Sequence, residues 1–340
     1  MDLQKVAAEV LVVVAKPLWD KYDLVLADLD GVIYEGSKPI DEAVDSINKL
    51  ASREIKIGYV TNNSSRKPST IADQLRSFGL SLDDFQVISS GQTAVELLLK
   101  LIPHGSKVLV VGGEGLRNFT AQAGFEIVSD SDQKPGAVIQ GFAPDVSWKD
   151  LAEASYAIQA GAIWIATNSD WTLPQEKGVA PGNGTLVSAV HTAVGQFPVV
   201  AGKPEPAIFE TALDVFKTRS ALFIGDRLET DSLGANRAKV DSAIVLTGIA
   251  SRKDLLGAKE DERPKYILEN LADLLLDYPT ISPTKHGYKC NRTVVELLGD
   301  RVMVTEGEPS SIDALRAACS VIWNAPKHVH FLDVQKELYL

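Results

Sequence analysis

The chain has 340 residues, 45% hydrophobic and 23% charged, with a formal net charge of −11, which is ordinary globular material for about two domains. No apolar run approaches the roughly 18–20 residues of a membrane span, and so acidic a chain lacks the basic face that a nucleic-acid partner needs. Cys290 and Cys319 are the only cysteines; at most one disulfide can form, so a reducing cytoplasm is the expected setting.

In chain order, Val6–Ala15 is apolar apart from Glu9 and lacks a cleavage signal, so it reads as a packed extension and not a signal peptide. Leu24–Ala27 is an apolar run too short for a helix, expected as a strand buried on both faces. It ends in Asp28-Leu29-Asp30-Gly31. Two carboxylates in that spacing project to one side of a strand end and repel, so a metal ion, a shared proton or both must offset them. Asp41–Ala51 has helical spacing, Ile55–Val60 reads as a second buried strand ending in Thr61-Asn62-Asn63, and Pro68 opens a helix that Gly79 stops. This alternation predicts a parallel sheet, whose ligands bind beyond the carboxyl ends of the strands.

Further along, Val108–Val111, Val138–Gln140 and Trp164–Thr167 read as strands, with helices at Glu114–Ala123 and Trp148–Ala160. The stretch from Thr167-Asn168-Ser169-Asp170-Trp171 to Pro181-Gly182-Asn183-Gly184 shows neither period and reads as a long functional loop. After the helix Thr185–Val194 and a strand near Pro198–Ala201 comes Gly202-Lys203-Pro204, just ahead of a helix Ala207–Phe216. Ala221–Ile224 is a buried strand ending in Gly225-Asp226-Arg227 with Thr230-Asp231. A helix Ser232–Ala238, a strand Ala243–Leu246 and a helix Asn270–Asp277 complete the pattern. Pro279–Pro283 reads as a linker. Beyond it, Thr293–Leu298 and Arg301–Thr305 suit a hairpin, and Ser310–Trp323 suits a capped helix.

Four strand ends or helix starts thus share one expected sheet edge. They carry Asp28 and Asp30, then Thr61 with Asn62 and Asn63, then Lys203, then Asp226 with Asp231. Carboxylates from two strands make a hard oxygen site suited to Mg²⁺, Thr61 and the backbone N–H groups after it can donate to phosphate, and Lys203 supplies the cation an acidic chain needs.

With these motifs the sequence resembles the haloacid dehalogenase superfamily, in particular the phosphatases with a large cap inserted between the second and third motifs. The matches are Asp28-Leu29-Asp30-Gly31-Val32-Ile33-Tyr34, Thr61-Asn62-Asn63, Gly202-Lys203-Pro204, Gly225-Asp226-Arg227 with Thr230-Asp231, and the two halves of the loop at 167–184, with no departure at a chemical position. The resemblance implies an α/β fold: a doubly wound, Rossmann-like parallel core from residues 1–88 and 196–280, an α/β cap at 89–195, and a small α+β extension at 281–340. It implies Asp28 as the nucleophile of an aspartyl-phosphate mechanism, Asp30 as general acid and base, and Thr61, Asn62, Asn63 and Lys203 around the phosphate. Mg²⁺ would sit on Asp28, Asp226 and the Asp30 carbonyl, with Asp231 orienting the site from behind. Cap residues Asn168 and Asp170 would set specificity.

The substrate implied is a small cytoplasmic phosphate ester, glycerol 3-phosphate first. A nucleoside monophosphate, phosphoglycolate, pyridoxal phosphate or transfer to an acceptor other than water are the alternatives, and a non-catalytic module is disfavoured by the complete motif set. Neither nucleic acid nor membrane is expected as partner, and a homo-oligomer is left open. The tails of such glycerol-phosphate phosphatases have been likened to part of an acetyltransferase fold. Residues 284–340 carry no glycine-rich segment to hold coenzyme A, so no acetyl transfer is expected. Gly113-Glu114-Gly115 reads as a cap-domain turn, since Asn118 breaks the dinucleotide pattern. His191, His328 and His330 read as packing or surface residues, while Trp171 suits either cap packing or the pocket wall.

Overall fold

A computed structural model describes residues 16–175 and 177–340; the apolar stretch Val6–Ala15 lies outside them. Six parallel strands form the first sheet, in the order Tyr266–Leu268, Asp241–Val245, Ala221–Gly225, Leu24–Ala27, Lys56–Thr61, Val87–Ser89. Leu24–Ala27 is fully buried at its centre because both faces are covered. Val25 and Ala27 join a cluster with Ile47, Leu50, Ile71 and Leu75 from the helices Ala43–Ala51 and Pro68–Ser77. Leu24 and Leu26 face the other way, onto Ile208, Phe209 and Ala212 of the helix Ala207–Phe216. Alternation thus persists in a strand that shows no polar alternation.

The chain winds outward to one side of Leu24–Ala27, then returns to build the other side. Strand order therefore reverses between Leu24–Ala27 and Ala221–Gly225, which is where a doubly wound sheet opens a crevice at its carboxyl edge. Asp28 and Asp226 are the first residues beyond these two strands.

A second parallel sheet has the order Val199–Val200, Ile163–Ala166, Ala137–Gln140, Lys107–Val111, Glu126–Val128. The helices Ser90–Leu101 and Glu114–Gln122 pack on one face, Trp148–Gln159 and Asn183–Val194 on the other. Since Val199–Val200 belongs to this sheet, the inserted unit runs past the expected limit at 195. Gly113 caps the helix Glu114–Gln122, so the Gly113-Glu114-Gly115 turn serves packing; a side chain at Gly115 would collide with the Ser65 carbonyl.

The third sheet runs Ile281–Pro283, Gly287–Cys290, Thr293–Leu298, Arg301–Glu306, Asp333–Val334, antiparallel except for its last pairing. Against it lies the helix Ile312–Trp323, capped by Ser311 Oγ, which accepts from Ala314 N–H at 3.1 Å. Residues of this helix share one apolar cluster with Ile244, Leu255 and Ile267 of the first unit.

Three expectations need correction, while the histidines expected as packing or surface residues lie where expected. The stretch 167–184 contains a hairpin, Thr172–Gln175 with Gly178–Pro181, whose second strand is largely exposed and which shows no apolar alternation in sequence. The supposed linker includes the edge strand Ile281–Pro283. Asn270–Asp277 is no α-helix but the short 3₁₀ turn Leu271–Leu275. His328 and His330 lie at a 3₁₀ turn, where exposed rings stack 4.7 Å apart. His191 is a surface residue stacked on Phe197 at 4.0 Å. No helix among the described residues is long and apolar enough to cross a membrane.

Candidate active site

The parallel sheet brings the separated motifs to one edge. Asp28 stays in register through its N–H, which donates to the Ile224 carbonyl at 2.8 Å. Lys203 reaches in from the turn between Val199–Val200 and Ala207–Phe216, and its side chain is 3% exposed. Its Nζ lies 2.8 Å from Asp28 Oδ1 and 2.7 Å from Asp231 Oδ1. A π-helical turn, Leu228–Ser232, folds Asp231 back beneath its own strand. There its Oδ2 accepts from the N–H groups of Asp226 and Arg227, both at 3.0 Å. Gly225 makes room, since any side chain there would strike Asp231.

Asp226 is held by the loop that follows Asp241–Val245. Its Oδ2 accepts from Ile249 N–H at 2.8 Å and its carbonyl from Ala250 N–H at 2.8 Å. Gly31 and Gly248 flank that carboxylate so closely that a Cβ on either would overlap it, and Gly31 also needs its φ of +79°. Asp226 Oδ1 is buried with no hydrogen-bond partner among the described residues. Asp28, Asp226 and Asp231 each offer an oxygen within 4.8 Å of the others. An orphan carboxylate oxygen within a cluster of hard oxygens is the donor set a divalent magnesium ion requires. The residues fit the ion.

Electrostatics point the same way. Burial pushes the Asp28 carboxyl well above the usual range; Lys203 opposes this, and Asp231 and Asp226 reinforce it. Burial, then Asp231, raises Asp226 to about 6. Burial alone would lower the Lys203 ammonium, but Asp231 and Asp28 outweigh it and hold the group above its ordinary value. Three carboxylates crowd one ammonium, which is paired with Asp28 and Asp231, so the pocket has an excess of negative charge that a dication would relieve. Asp30 stands at the solvent-reached rim. Desolvation raises its carboxyl, against the pull of Lys203, Tyr34, Arg66 and Arg227.

Thr61 Oγ1 accepts from Asn63 N–H at 3.1 Å, which leaves its own proton for another acceptor. Both neighbouring amide oxygens are taken up by backbone N–H groups. Asn63 Oδ1 accepts from the N–H groups of Ser65 and Arg66, at 3.0 and 3.2 Å. Asn62 brackets Lys203, accepting from its N–H at 2.8 Å and donating to its carbonyl at 3.0 Å. The same Asn62 Nδ2 donates to Asp170 Oδ1 at 3.0 Å.

Asp170 and Asn168 clasp the second unit to the first. Asn168 Nδ2 donates to the Asn62 carbonyl at 2.7 Å, Asn168 Oδ1 accepts from Asp170 N–H at 3.2 Å, and Asn183 Nδ2 donates to the Asn168 carbonyl at 2.8 Å. Burial raises Asp170, and Asn62 counters it. Trp171, 64% exposed, packs against little. Sequence reasoning missed Ser90, whose Oγ donates to the Asn62 carbonyl at 2.6 Å, and Ile249, whose contribution is a backbone N–H that no side-chain pattern announces.

The comparisons agree with this geometry. A model of haloacid dehalogenase-like hydrolases matches residues 25–126, and a HAD-hydrolase-like model matches 200–274. The chain is 38% identical over 314 residues to D-glycerol 3-phosphate phosphatase of Mycobacterium tuberculosis, across 91% of this chain and 88% of that one. It is 32% identical over 257 residues to an acid sugar phosphatase of Staphylococcus saprophyticus, across 75% and 97%. The crystal structure of a glycerol phosphate phosphatase from M. tuberculosis in complex with magnesium superposes with a TM-score of 0.86 at 37% identity, covering 95% of this chain and 96% of that one. The chain belongs to the haloacid dehalogenase-like hydrolases. Within them it is a phosphoric monoester hydrolase.

Proposed function

We propose that the protein hydrolyses a small polyol phosphate, glycerol 3-phosphate first, through an aspartyl-phosphate on Asp28. The observation that carries the chemistry is the Lys203 ammonium held between Asp28 and Asp231 at 2.8 and 2.7 Å. The substrate choice is supported by the likeness to a D-glycerol 3-phosphate phosphatase along nearly the whole chain. The likeness to acid sugar phosphatases, over a smaller share, supports sugar phosphates as second choice.

In this reading Asp28 attacks phosphorus in line with the leaving oxygen, its anion favoured by Lys203. Asp30, raised in pKa at the rim, protonates the leaving alkoxide and then takes the proton of the water that hydrolyses the acyl phosphate. Lys203 and the Thr61 hydroxyl face the transferring phosphoryl oxygens. Asp28, Asp226 and the Asp30 carbonyl would hold Mg²⁺, which neutralises phosphoryl charge when bound. Asp231 fixes Lys203 and the Asp226 backbone.

The proposed division of labour gives phosphoryl chemistry to the core, about residues 16–89 and 201–280 among those described, and coverage of the site to the cap, about 90–200. Asn168 and Asp170 would then act on specificity by fixing how the cap sits. Both cysteines are buried free thiols, which supports a reducing, cytoplasmic setting, and the net charge of −11 supports a small-molecule partner over nucleic acid. A phosphate-release screen over glycerol phosphates, sugar phosphates, nucleoside monophosphates, phosphoglycolate and pyridoxal phosphate tests the reading. Glycerol 3-phosphate should give the highest kcat/KM, and Asp28→Asn should abolish turnover. Phosphoryl transfer to an added alcohol in place of phosphate release would sink the hydrolase assignment.

A further inference from the structure

The helix Arg252–Leu256 is five residues long, too short to stand by itself in water. It begins at Ser251, immediately after the loop 247–250 that holds Asp226 through Ile249 and Ala250. The same loop grips the segment following Asp28, because Thr247 Oγ1 donates to the Gly31 carbonyl at 2.8 Å. Whatever fixes this helix therefore fixes the position of a carboxylate proposed to hold the metal.

The C-terminal segment does that. Trp323 Nε1 donates to the Leu255 carbonyl at 3.0 Å, the shorter bond to an acceptor at the helix end that otherwise takes a longer one from Ala258 N–H at 3.3 Å. Arg252 donates to the Ser311 carbonyl at 3.2 Å, so both ends of the short helix are tied to the helix Ile312–Trp323. Between those ties Leu255 and Leu256 are buried in one cluster with Leu315, Cys319 and Ile322. The long helix is itself anchored to the edge of the core sheet. Arg316 Nε donates to the Ile267 carbonyl at 2.9 Å and Ile267 N–H donates to Tyr278 Oη at 3.1 Å, which gives the edge strand Tyr266–Leu268 partners it would otherwise lack. Arg316 is 6% exposed and paired with Asp273 and Asp313, both at 3.2 Å, so this anchor is rigid.

We propose that the segment 281–340 is a positioning element of the metal site, with Trp323 and Arg252 setting magnesium affinity by holding the helix Arg252–Leu256 and hence the loop on Asp226. This rests on the phosphatase reading above. The acid sugar phosphatase relative uses 97% of its own length to match 75% of this chain, so about a quarter of this chain has no counterpart there. The motif residues from Asp28 to Asp231 all lie outside 281–340, so the segment tunes the site and does not create it.

The test uses the full-length protein and three variants: Trp323→Phe, which keeps the aromatic bulk but loses the N–H, Arg252→Ala, and Lys327→Ala as a control on an exposed pair with Asp300 in the same segment. Circular dichroism establishes folding, calorimetry gives the Mg²⁺ dissociation constant without substrate, and the melting shift on adding Mg²⁺ gives an independent reading. Trp323→Phe and Arg252→Ala should weaken Mg²⁺ by about three- to tenfold, the scale of one lost hydrogen bond behind a metal ligand. Their kcat at saturating metal should be unchanged, and Lys327→Ala should match the parent throughout. Wild-type Mg²⁺ affinity in both folded variants would overturn the inference, as would an equal weakening in the control. Should Trp323→Phe fail to fold, Arg252→Ala decides alone. A parent that binds Mg²⁺ but frees phosphate from no ester would refute the phosphatase reading, while the calorimetry still judges the positioning role.

Discussion

Asn62 holds Lys203 by both its backbone groups: the amide oxygen accepts from the lysine N–H at 2.8 Å and the amide nitrogen donates to its carbonyl at 3.0 Å. That nitrogen also reaches Asp170 in the cap. One side chain thus ties Lys203 to the cap. Asn62→Ala removes all three bonds and is expected to lower kcat by at least about tenfold, the usual cost of losing a group that orients a reacting side chain. It should also destabilise the fold by roughly 1–3 kcal/mol, since buried polar partners are left unmatched. A melting curve and a saturation curve on one preparation check both figures.

Metal and pH should act on stability together. Asp226, raised to about 6, binds its proton more tightly in the folded protein than in the unfolded chain. Its contribution is therefore fully present below about pH 4 and is lost as pH rises through about 6, by roughly 3 kcal/mol. Asp28 shifts in the same direction. The metal-free protein should lose stability across that window, and Mg²⁺ should restore it by binding only the folded, ionised site. Denaturant midpoints at pH 5 and pH 8, with and without Mg²⁺, test this. A metal-induced gain that is no larger at pH 8 than at pH 5 would contradict it.

Lys203→Met should be severe for a reason separate from catalysis. Asp28 and Asp231 lie in the same buried pocket and share this one ammonium. Removing it leaves both without a cation, and breaking a buried pair this way costs about 3–5 kcal/mol. Without Mg²⁺ the variant should melt far below the parent at neutral pH and recover part of the loss in acid, where the carboxyls protonate. A loss of activity with unchanged, pH-independent stability would show that Lys203 serves the substrate alone.

Much of this site was legible in the sequence because its parts end strands, and strand ends are marked by apolar runs stopping at Asp28, Thr61 and Asp226. The core winding followed from the same runs. What could not be read was of two kinds. Val87–Ser89, Glu126–Val128 and Tyr266–Leu268 have three residues each, too few for a period to show, and the hairpin Thr172–Gln175 with Gly178–Pro181, whose second strand is largely exposed, shows no apolar alternation in sequence. The other kind depends on tertiary distance. That Asn62 and Asp170 bond to each other follows only once the residues before the cap hairpin are set against the loop after Lys56–Thr61. Asp231 shows the contrast. The resemblance implied it as a group orienting the site from behind, and its bonds to Lys203 and to two backbone N–H groups say what it does there.

Asp30 gives the sharpest test of the proposed mechanism. As the acid that protonates the leaving oxygen it matters in proportion to how poor the leaving group is. An alkoxide such as that of glycerol 3-phosphate departs only with a proton, whereas p-nitrophenolate departs without one. Asp30→Asn keeps the shape and removes the proton, so turnover of the alkyl ester should fall by about 10²–10⁴-fold. The aryl ester should lose far less in the step that forms the aspartyl-phosphate, read as a pre-steady-state burst of p-nitrophenolate. Steady-state release from the aryl ester should still slow, because Asp30 must also take a proton from the attacking water, and the intermediate on Asp28 should then accumulate. Equal losses for both esters in the first step would place the acid elsewhere. The raised carboxyl of Asp30 adds a pH signature: the acidic form persists above the usual carboxylate range, so the alkyl-ester rate in the parent should fall on the alkaline side at a pH where the aryl-ester burst is unchanged.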